Sequence, residues 1–237
     1  MLSFKNITKV FQCKGREVRA LNEVSFEVKE GEFVSFVGKS GAGKTTLAKI
    51  LIAEYRPTSG RVVFQGEDIH SLHPADLQKL RRKIGVVYQD YKLLCDKTVQ
   101  ENLEYILQIL GASDESIETD VLKVLGIVGL EEKLDMFPLE LSGGEQQHLA
   151  IARALIHRPE LIIADEPTGN LDPYNTYEVV NLLTKIHQMG TTVLLFTHNK
   201  EIINSLKKRV LTLEEGKIIR DDPKGKFLKI KYQKRFF

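Results

Sequence analysis

Apolar positions along this chain recur at two different periods, and the places where the period changes divide it into blocks. Near the start they alternate with polar ones (Val18, Ala20, then Val24, Phe26, Val28), the period of antiparallel strands with one buried face. Phe33-Val-Ser-Phe-Val37 is short and almost wholly apolar, which predicts a buried strand. Residues 44–54 carry helical spacing, and Ile84–Tyr88 reads as another core strand. From about 91 to 158 helical patterns dominate. Thr98-x-x-Glu101 predicts a capping box opening one helix. A second helix is expected from about Ser116 to Val128, and a third from behind Ser142-Gly-Gly to a point before Pro159, since proline disfavours helix in the residue preceding it. Strand and helix then alternate again: strand Leu161–Ala164, a helix with Asp172 as N-cap and Pro173 in its first position, and strand Thr192–Phe196. The pattern predicts an α/β domain over 1–222. Its parallel-sheet core spans 1–90 and 159–222, with an N-terminal antiparallel β-layer and a helical insertion over about 91–158.

The apolar strand 33–37 runs straight into Gly38-Lys39-Ser40-Gly41-Ala42-Gly43-Lys44-Thr45, which fits G-x-x-x-x-G-K-[ST] between a strand and a helix. Its glycines let backbone N–H groups turn inward around phosphate oxygens, and the helix start adds partial positive charge. Lys44 is placed to reach the β- and γ-phosphates, and the Thr45 hydroxyl to ligate Mg²⁺; Thr46 continues the cradle. The fold expected is therefore a P-loop NTPase core. A second apolar strand delivers Asp165-Glu166 at its C-terminal end, where ligands of open α/β sheets bind. Asp165 would hold Mg²⁺ and Glu166 would act as general base on the attacking water. A third feature, Ser142-Gly143-Gly144-Glu145, opens a helix and so also faces an anion with N–H groups and the helix dipole. One phosphate cradle already exists in the chain. A second is hard to use within a monomer and easy to use across a head-to-tail dimer.

Taken together, these three elements resemble the nucleotide-binding domain of ABC transporters over about residues 1–222. That resemblance implies an ATPase with bound ATP and Mg²⁺, working as an ATP-dependent homodimer in which Ser142, Gly143, Gly144 and Glu145 grip the ATP of a second copy. It also implies roles for residues that are unremarkable alone. Gln89 resembles the glutamine that meets Mg²⁺ and the attacking water. Asn170-Leu171-Asp172 resembles the D-loop crossing the dimer interface, and His198 the switch histidine on the γ-phosphate. Phe11 resembles the aromatic residue that stacks on adenine. Within the family, Arg56-Pro-Thr-Ser-Gly60, Arg81–Asp90, Phe137-Pro138 and Ala164–Pro173 resemble the bacterial cell-division branch, the FtsE type. That branch implies an FtsX-type membrane subunit, control of cell-wall hydrolysis, and a place on the cytoplasmic face of the cell membrane. Many of the same stretches occur in the ATPases of lipoprotein-release and macrolide exporters, the alternative reading. Three positions depart from the family pattern in polarity or backbone: His148 stands for an arginine, Asn199 for an aspartate, and Cys95 for a proline. Phe11, where tyrosine is commoner, still stacks.

Composition narrows the partners. Apolar residues at 42% and charged residues at 28% suit a globular domain. A formal net charge of +2 argues against a generally nucleic-acid-binding surface. An ATPase acting on DNA or ribosomes would also need tandem halves or long coiled-coil insertions, which this chain does not carry. Cys13 and Cys95 have no metal-ligand spacing and read as free thiols. Met1-Leu-Ser-Phe-Lys-Asn offers no apolar core for a secretory leader, and no apolar run approaches a membrane span. His70, His73, His157 and His187 are expected at the surface. Lys224–Phe237 carries six basic residues and no acid, interleaved with aromatic and aliphatic ones, as a membrane-surface or partner-docking tail would. Gln89–Cys95 with Tyr105 is expected to face a membrane subunit.

Overall fold

A computed structural model describes residues 1–13 and 15–225 of the chain. The expected basic tail, 223–237, lies outside the described residues from 226 onward. In chain order the strands are β1 (Leu2–Cys13), β2 (Arg16–Val28), β3 (Phe33–Val37), β4 (Ser59–Phe64), β5 (Glu67–Asp68), β6 (Ile84–Val87), β7 (Leu161–Asp165), β8 (Thr192–Thr197), β9 (Arg209–Glu214) and β10 (Lys217–Asp222). The α-helices are α1 (Lys44–Leu51), α2 (Pro74–Arg81), α3 (Val99–Ile109), α4 (Asp114–Val128), α5 (Gly143–Leu155), α6 (Pro173–Gln188) and α7 (Lys200–Leu206).

Two sheets result. The first is antiparallel, in the order β2-β1-β4-β5, and the second runs β10-β9-β3-β8-β7-β6. The second sheet departs from the expected all-parallel core: β9, β3, β8, β7 and β6 are parallel, but β10 returns antiparallel on β9. Glu215 and Gly216, both left-handed (φ 46 and φ 73), form the tight turn that makes this return possible. A row of rings ties the two sheets together: Phe4 stacks on Phe26 (4.5 Å), Phe26 meets Phe36 edge-on (5.1 Å) and Phe36 stacks on Phe196 (4.6 Å).

Alternation along the central strands splits the core in two. Val34 and Phe36 of β3 face the β-layer, α1 and α2, whereas Phe33 faces the helices. On the second side Val87, Ile162, Ala164, Val193 and Leu195 share one apolar cluster with α3, α4, α5 and α6. The helices of the 91–158 segment therefore bury their apolar stripes in the same cluster as the sheet.

Local signals set most helix starts. Thr98 Oγ1 accepts from Glu101 N (3.2 Å) while Glu101 Oε2 accepts from Thr98 N (2.8 Å), the reciprocal cap expected. Asp172 accepts from Asn175 N at 2.9 Å to open α6 behind Pro173. The helix expected over 44–54 stops at Leu51, and Ala53 is already left-handed (φ 54). The four histidines expected at the surface do not all lie there. Only His73 of the four is exposed; His70, His157 and His187 are half-buried, and burial pushes each imidazole below its usual range.

Candidate active site

Strand order builds the site. In β3, β8, β7 and β6 the register aligns Val37 with Thr197, Phe196 with Asp165, and Ala164 with Val87. The residues leaving those four ends are Gly38, His198, Glu166 and Tyr88-Gln89, so parallel pairing delivers all of them to one edge. There Gly38, His198, Glu166 and Gln89 line a cleft of about 1130 Å³ together with residues 39–46.

Gly38 and Gly43 are glycines for lack of space. A side chain on Gly38 would run into the Leu213 carbonyl, and one on Gly43 would meet the Ala20 carbonyl at 2.6 Å. Gly43 also takes φ 106 as it caps α1. Lys44 is buried, with Nζ 2.9 Å from the Gly38 carbonyl, 3.3 Å from that of Lys39 and 3.2 Å from Glu166 Oε1. Glu166 is the hub of the cleft. Its second oxygen lies 3.0 Å from His198 Nδ1 and accepts from the His198 N–H at 3.3 Å, and its own N–H donates to the Phe196 carbonyl at 2.8 Å. These contacts hold Glu166 in a left-handed backbone, φ 48, which a side chain with a Cβ rarely adopts.

Asp165, still in β7, is the contrasting carboxylate. Burial, helped by the neighbouring Glu166 charge, pushes its carboxyl above the usual range, against a Thr45 hydrogen bond and the Lys44 and Lys49 charges. Its Oδ1 is buried with no partner. A buried carboxylate oxygen left unmatched beside a hydroxyl suits a small hard cation that takes oxygen ligands. No group of three His, Cys, Asp or Glu side chains gathers as a metal cage among the described residues. A Mg²⁺ shared with substrate phosphates needs no such cage.

Gln89 reaches Asn170: its Nε2 lies 3.5 Å from Asn170 Oδ1, and Asn170 Nδ2 donates to the Gln89 carbonyl at 3.3 Å. A side chain on Gly169 would meet the Gln89 amide at 2.8 Å and displace it. Ser142, Gly143, Gly144 and Glu145 do not line the cleft. They form the start of α5, where Ser142 and Glu145 cap each other (2.8 Å from Ser142 N, 3.4 Å back to Ser142 Oγ) and Lys133 holds the Glu145 carboxyl below its usual range at 2.6 Å. Leu171 packs by Gly143, and the Asn175 amide covers Gly144 so closely that no side chain fits there. Phe11 also lies outside the cleft lining. Its ring meets Tyr55 edge-on at 5.3 Å with the Lys9 ammonium 4.9 Å away, and β1 pairs it with Val18, two residues before the cleft-lining Ala20.

Sequence reasoning missed Ala20, Lys200 and Thr212–Glu215, all of which line the cleft. The one available signal was Glu-Glu-Gly after the apolar run Val210–Leu213, a turn that packs on the phosphate loop through Gly216 N to the Ala42 carbonyl (3.2 Å). Two departures gain a physical account. Asn199 caps α7, accepting from Glu201 N at 2.9 Å, a role asparagine fills as well as aspartate. His148 is half-buried with Nδ1 2.9 Å from the Val128 carbonyl, and burial holds it toward the neutral form where an arginine would be charged.

A phosphate cradle on a strand-to-helix turn, an adjacent strand ending in two carboxylates, and a second helix-capping serine define an ATP-binding cassette. The ABC transporter family profile matches residues 21–169. The chain belongs to the ABC transporter family and is one of its ATPase cassettes. It is 44% identical over 227 residues to the cell division ATP-binding protein FtsE of Bacillus subtilis, covering 96% of this chain and 98% of that one. It is 48% identical over 208 residues to the protein of the same name in Streptococcus pneumoniae, covering 88% and 90%. Among solved structures it matches a dimeric ATP-binding cassette in a post-hydrolysis state bound to ADP and Pi, with TM-score 0.86, 35% identity and coverage of 96% and 100%.

Proposed function

We propose that this chain is the ATP-hydrolysing subunit of a bacterial cell-division ABC complex of the FtsE type, dimerising on ATP and driving an FtsX-type membrane subunit that controls cell-wall hydrolysis. The observation that carries the catalytic part is Glu166, fixed at the mouth of the phosphate loop between Lys44 (3.2 Å) and His198 (3.0 Å). The Lys44 ammonium pairs with the Glu166 carboxylate. Nucleotide phosphates would draw the ammonium away and leave the carboxylate facing the water to be activated. His198 then keeps one oxygen oriented while the other takes the proton. Thr45, Asp165 and Gln89 are the residues that would hold Mg²⁺, which supplies charge for the leaving phosphate when bound. Phe11 would carry the adenine.

In the dimer, Ser142–Glu145 of one copy would close on the phosphates held by residues 38–46 of the other, with Asn170, Leu171 and Asp172 crossing between them. No helix of the described residues is long and apolar enough to cross a membrane. The membrane seat proposed is the loop 89–95 with Tyr105, which is 43% exposed on α3, and the cassette would sit on the cytoplasmic face. Affinity capture from detergent-solubilised membranes tests the reading. A four-span subunit with one large extracytoplasmic domain is the expected co-purifying chain. Recovery of an exporter subunit of the lipoprotein-release or macrolide type would replace the cell-division role with the export one.

A further inference from the structure

We infer that Arg153 is a positioning residue for hydrolysis: from the helix that begins at the Ser142 cap, it fixes the backbone bend after Gln89 and so the aim of the glutamine. Arg153 lies in the last turn of α5 and its Nη1 donates to the carbonyl of Lys92. The Nε is buried with no partner, and the guanidinium is sufficiently enclosed that burial lowers its affinity for a proton. An arginine kept there merely to fill space would be a poor choice, because an apolar side chain of similar length fills the volume without desolvating a cation. What the guanidinium alone supplies is the donor to Lys92.

That acceptor sits in an unusual backbone. Tyr91 and Lys92 are both left-handed, φ 58 and φ 54, two consecutive non-glycine residues in a region that L side chains avoid. Such a pair persists where its surroundings hold it. The bend sets two side chains. Gln89, two residues before Tyr91, is turned toward Asn170 (3.5 Å), and the Tyr91 hydroxyl lies against Gly143, 3.5 Å from where a Cβ would stand. Thus α5 presents Ser142 at one end and grips the Gln89 loop from the other.

This inference rests on the proposed dimeric ATPase. There the two ends of α5 serve different nucleotides: Gln89 addresses the ATP on its own chain's phosphate loop, and Ser142 addresses the partner's. Arg153 ties the geometry of one site to that of the other.

The test uses the full chain with Arg153→Met, Arg153→Lys and Gln89→Ala, singly and combined, read by steady-state ATP hydrolysis and by MgATP binding. Arg153→Met should lower kcat about tenfold with KM moved less than about twofold, since a positioning defect spares ground-state binding. Arg153→Lys, which keeps a donor for the Lys92 carbonyl, should recover most of that loss. In the Gln89→Ala background Arg153→Met should change the rate less than about twofold, because effects passing through one residue are not additive. Full additivity with Gln89→Ala, or equal damage from Lys and Met, overturns the inference. If Arg153→Met does not fold, the same additivity comparison with Arg153→Lys decides. A wild-type chain that binds but does not hydrolyse ATP, alone or with its membrane subunit, overturns the ATPase reading itself.

Discussion

Glu166 and Asp165 are neighbours with opposite environments, and each predicts a different consequence of removing one oxygen's charge. Glu166 is anchored by Lys44 and His198, so Glu166→Gln keeps its size and hydrogen bonding but cannot take a proton. Turnover is expected to fall roughly 10²–10⁴-fold with nucleotide binding retained. Gel filtration should then show an ATP-trapped dimer that the wild type forms only transiently. Asp165 behaves differently because burial raises its carboxyl above the usual range. The folded chain thus binds that proton at higher pH than the unfolded chain does. Above this range the buried anion costs stability, and the cost disappears as pH falls and the group is protonated. Asp165→Asn should therefore raise the melting temperature of the nucleotide-free protein at neutral pH, by about 2–4 °C for each kcal/mol recovered. The gain should shrink toward acid pH. Mg²⁺-dependent hydrolysis should be lost in the same variant, so thermal unfolding and activity are expected to move in opposite directions.

Among the elements, the loop between β6 and α3 is held less by its own sequence than by α3. Asn102 is fully buried and its amide donates to the carbonyls of Leu94 (3.0 Å), Lys97 (3.1 Å) and Thr98 (2.9 Å), while its oxygen accepts from Leu94 N (3.0 Å). One side chain thereby satisfies a turn that has no sheet partner. Asn102→Ala should cost about 2–4 kcal/mol in urea unfolding, since it leaves several buried backbone groups unmatched. The same clamp bears on docking. Leu94 and Tyr91 are half-buried and Leu93 packs onto the core cluster, so only part of the expected apolar cluster is offered to a membrane subunit. Tyr105 is the better-exposed anchor. Its replacement by alanine should weaken co-purification with the membrane subunit by about 1–3 kcal/mol while ATP binding is unchanged.

For the whole molecule the decisive fact is separation. The phosphate loop and Glu166 share one cleft, yet Ser142 and its glycines belong to another surface, against Leu171 and Asn175. In the proposed dimer a single copy would offer half of two sites. Mixing Lys44→Ala protein with Ser142→Arg protein, each inactive alone, should restore one working site in each heterodimer. Hydrolysis by the mixture that stays at the level of the separate variants would mean that one chain suffices for a site.

The sequence by itself determined whatever is encoded within one turn or one strand. The glycine loop, the reciprocal caps at Thr98 and Ser142, the Asp172-Pro173 helix start and the apolar strands ending at Val37 and Asp165 are local, because sterics and caps act over three or four residues. Those signals also sufficed for an α/β fold with an antiparallel layer. Only the tertiary structure decided which strand ends become neighbours. The order β9-β3-β8-β7-β6 brings Glu166 to Lys44 across 122 intervening peptide bonds, and no periodicity carries that information. It also decided that β9 and β10 fold back to place Glu214 and Glu215 on the cleft, that three histidines sink partly into the protein, and that Arg153 meets Lys92. Each is a contact between segments whose local sequences are satisfied in many arrangements, and burial of the shared core selects one of them.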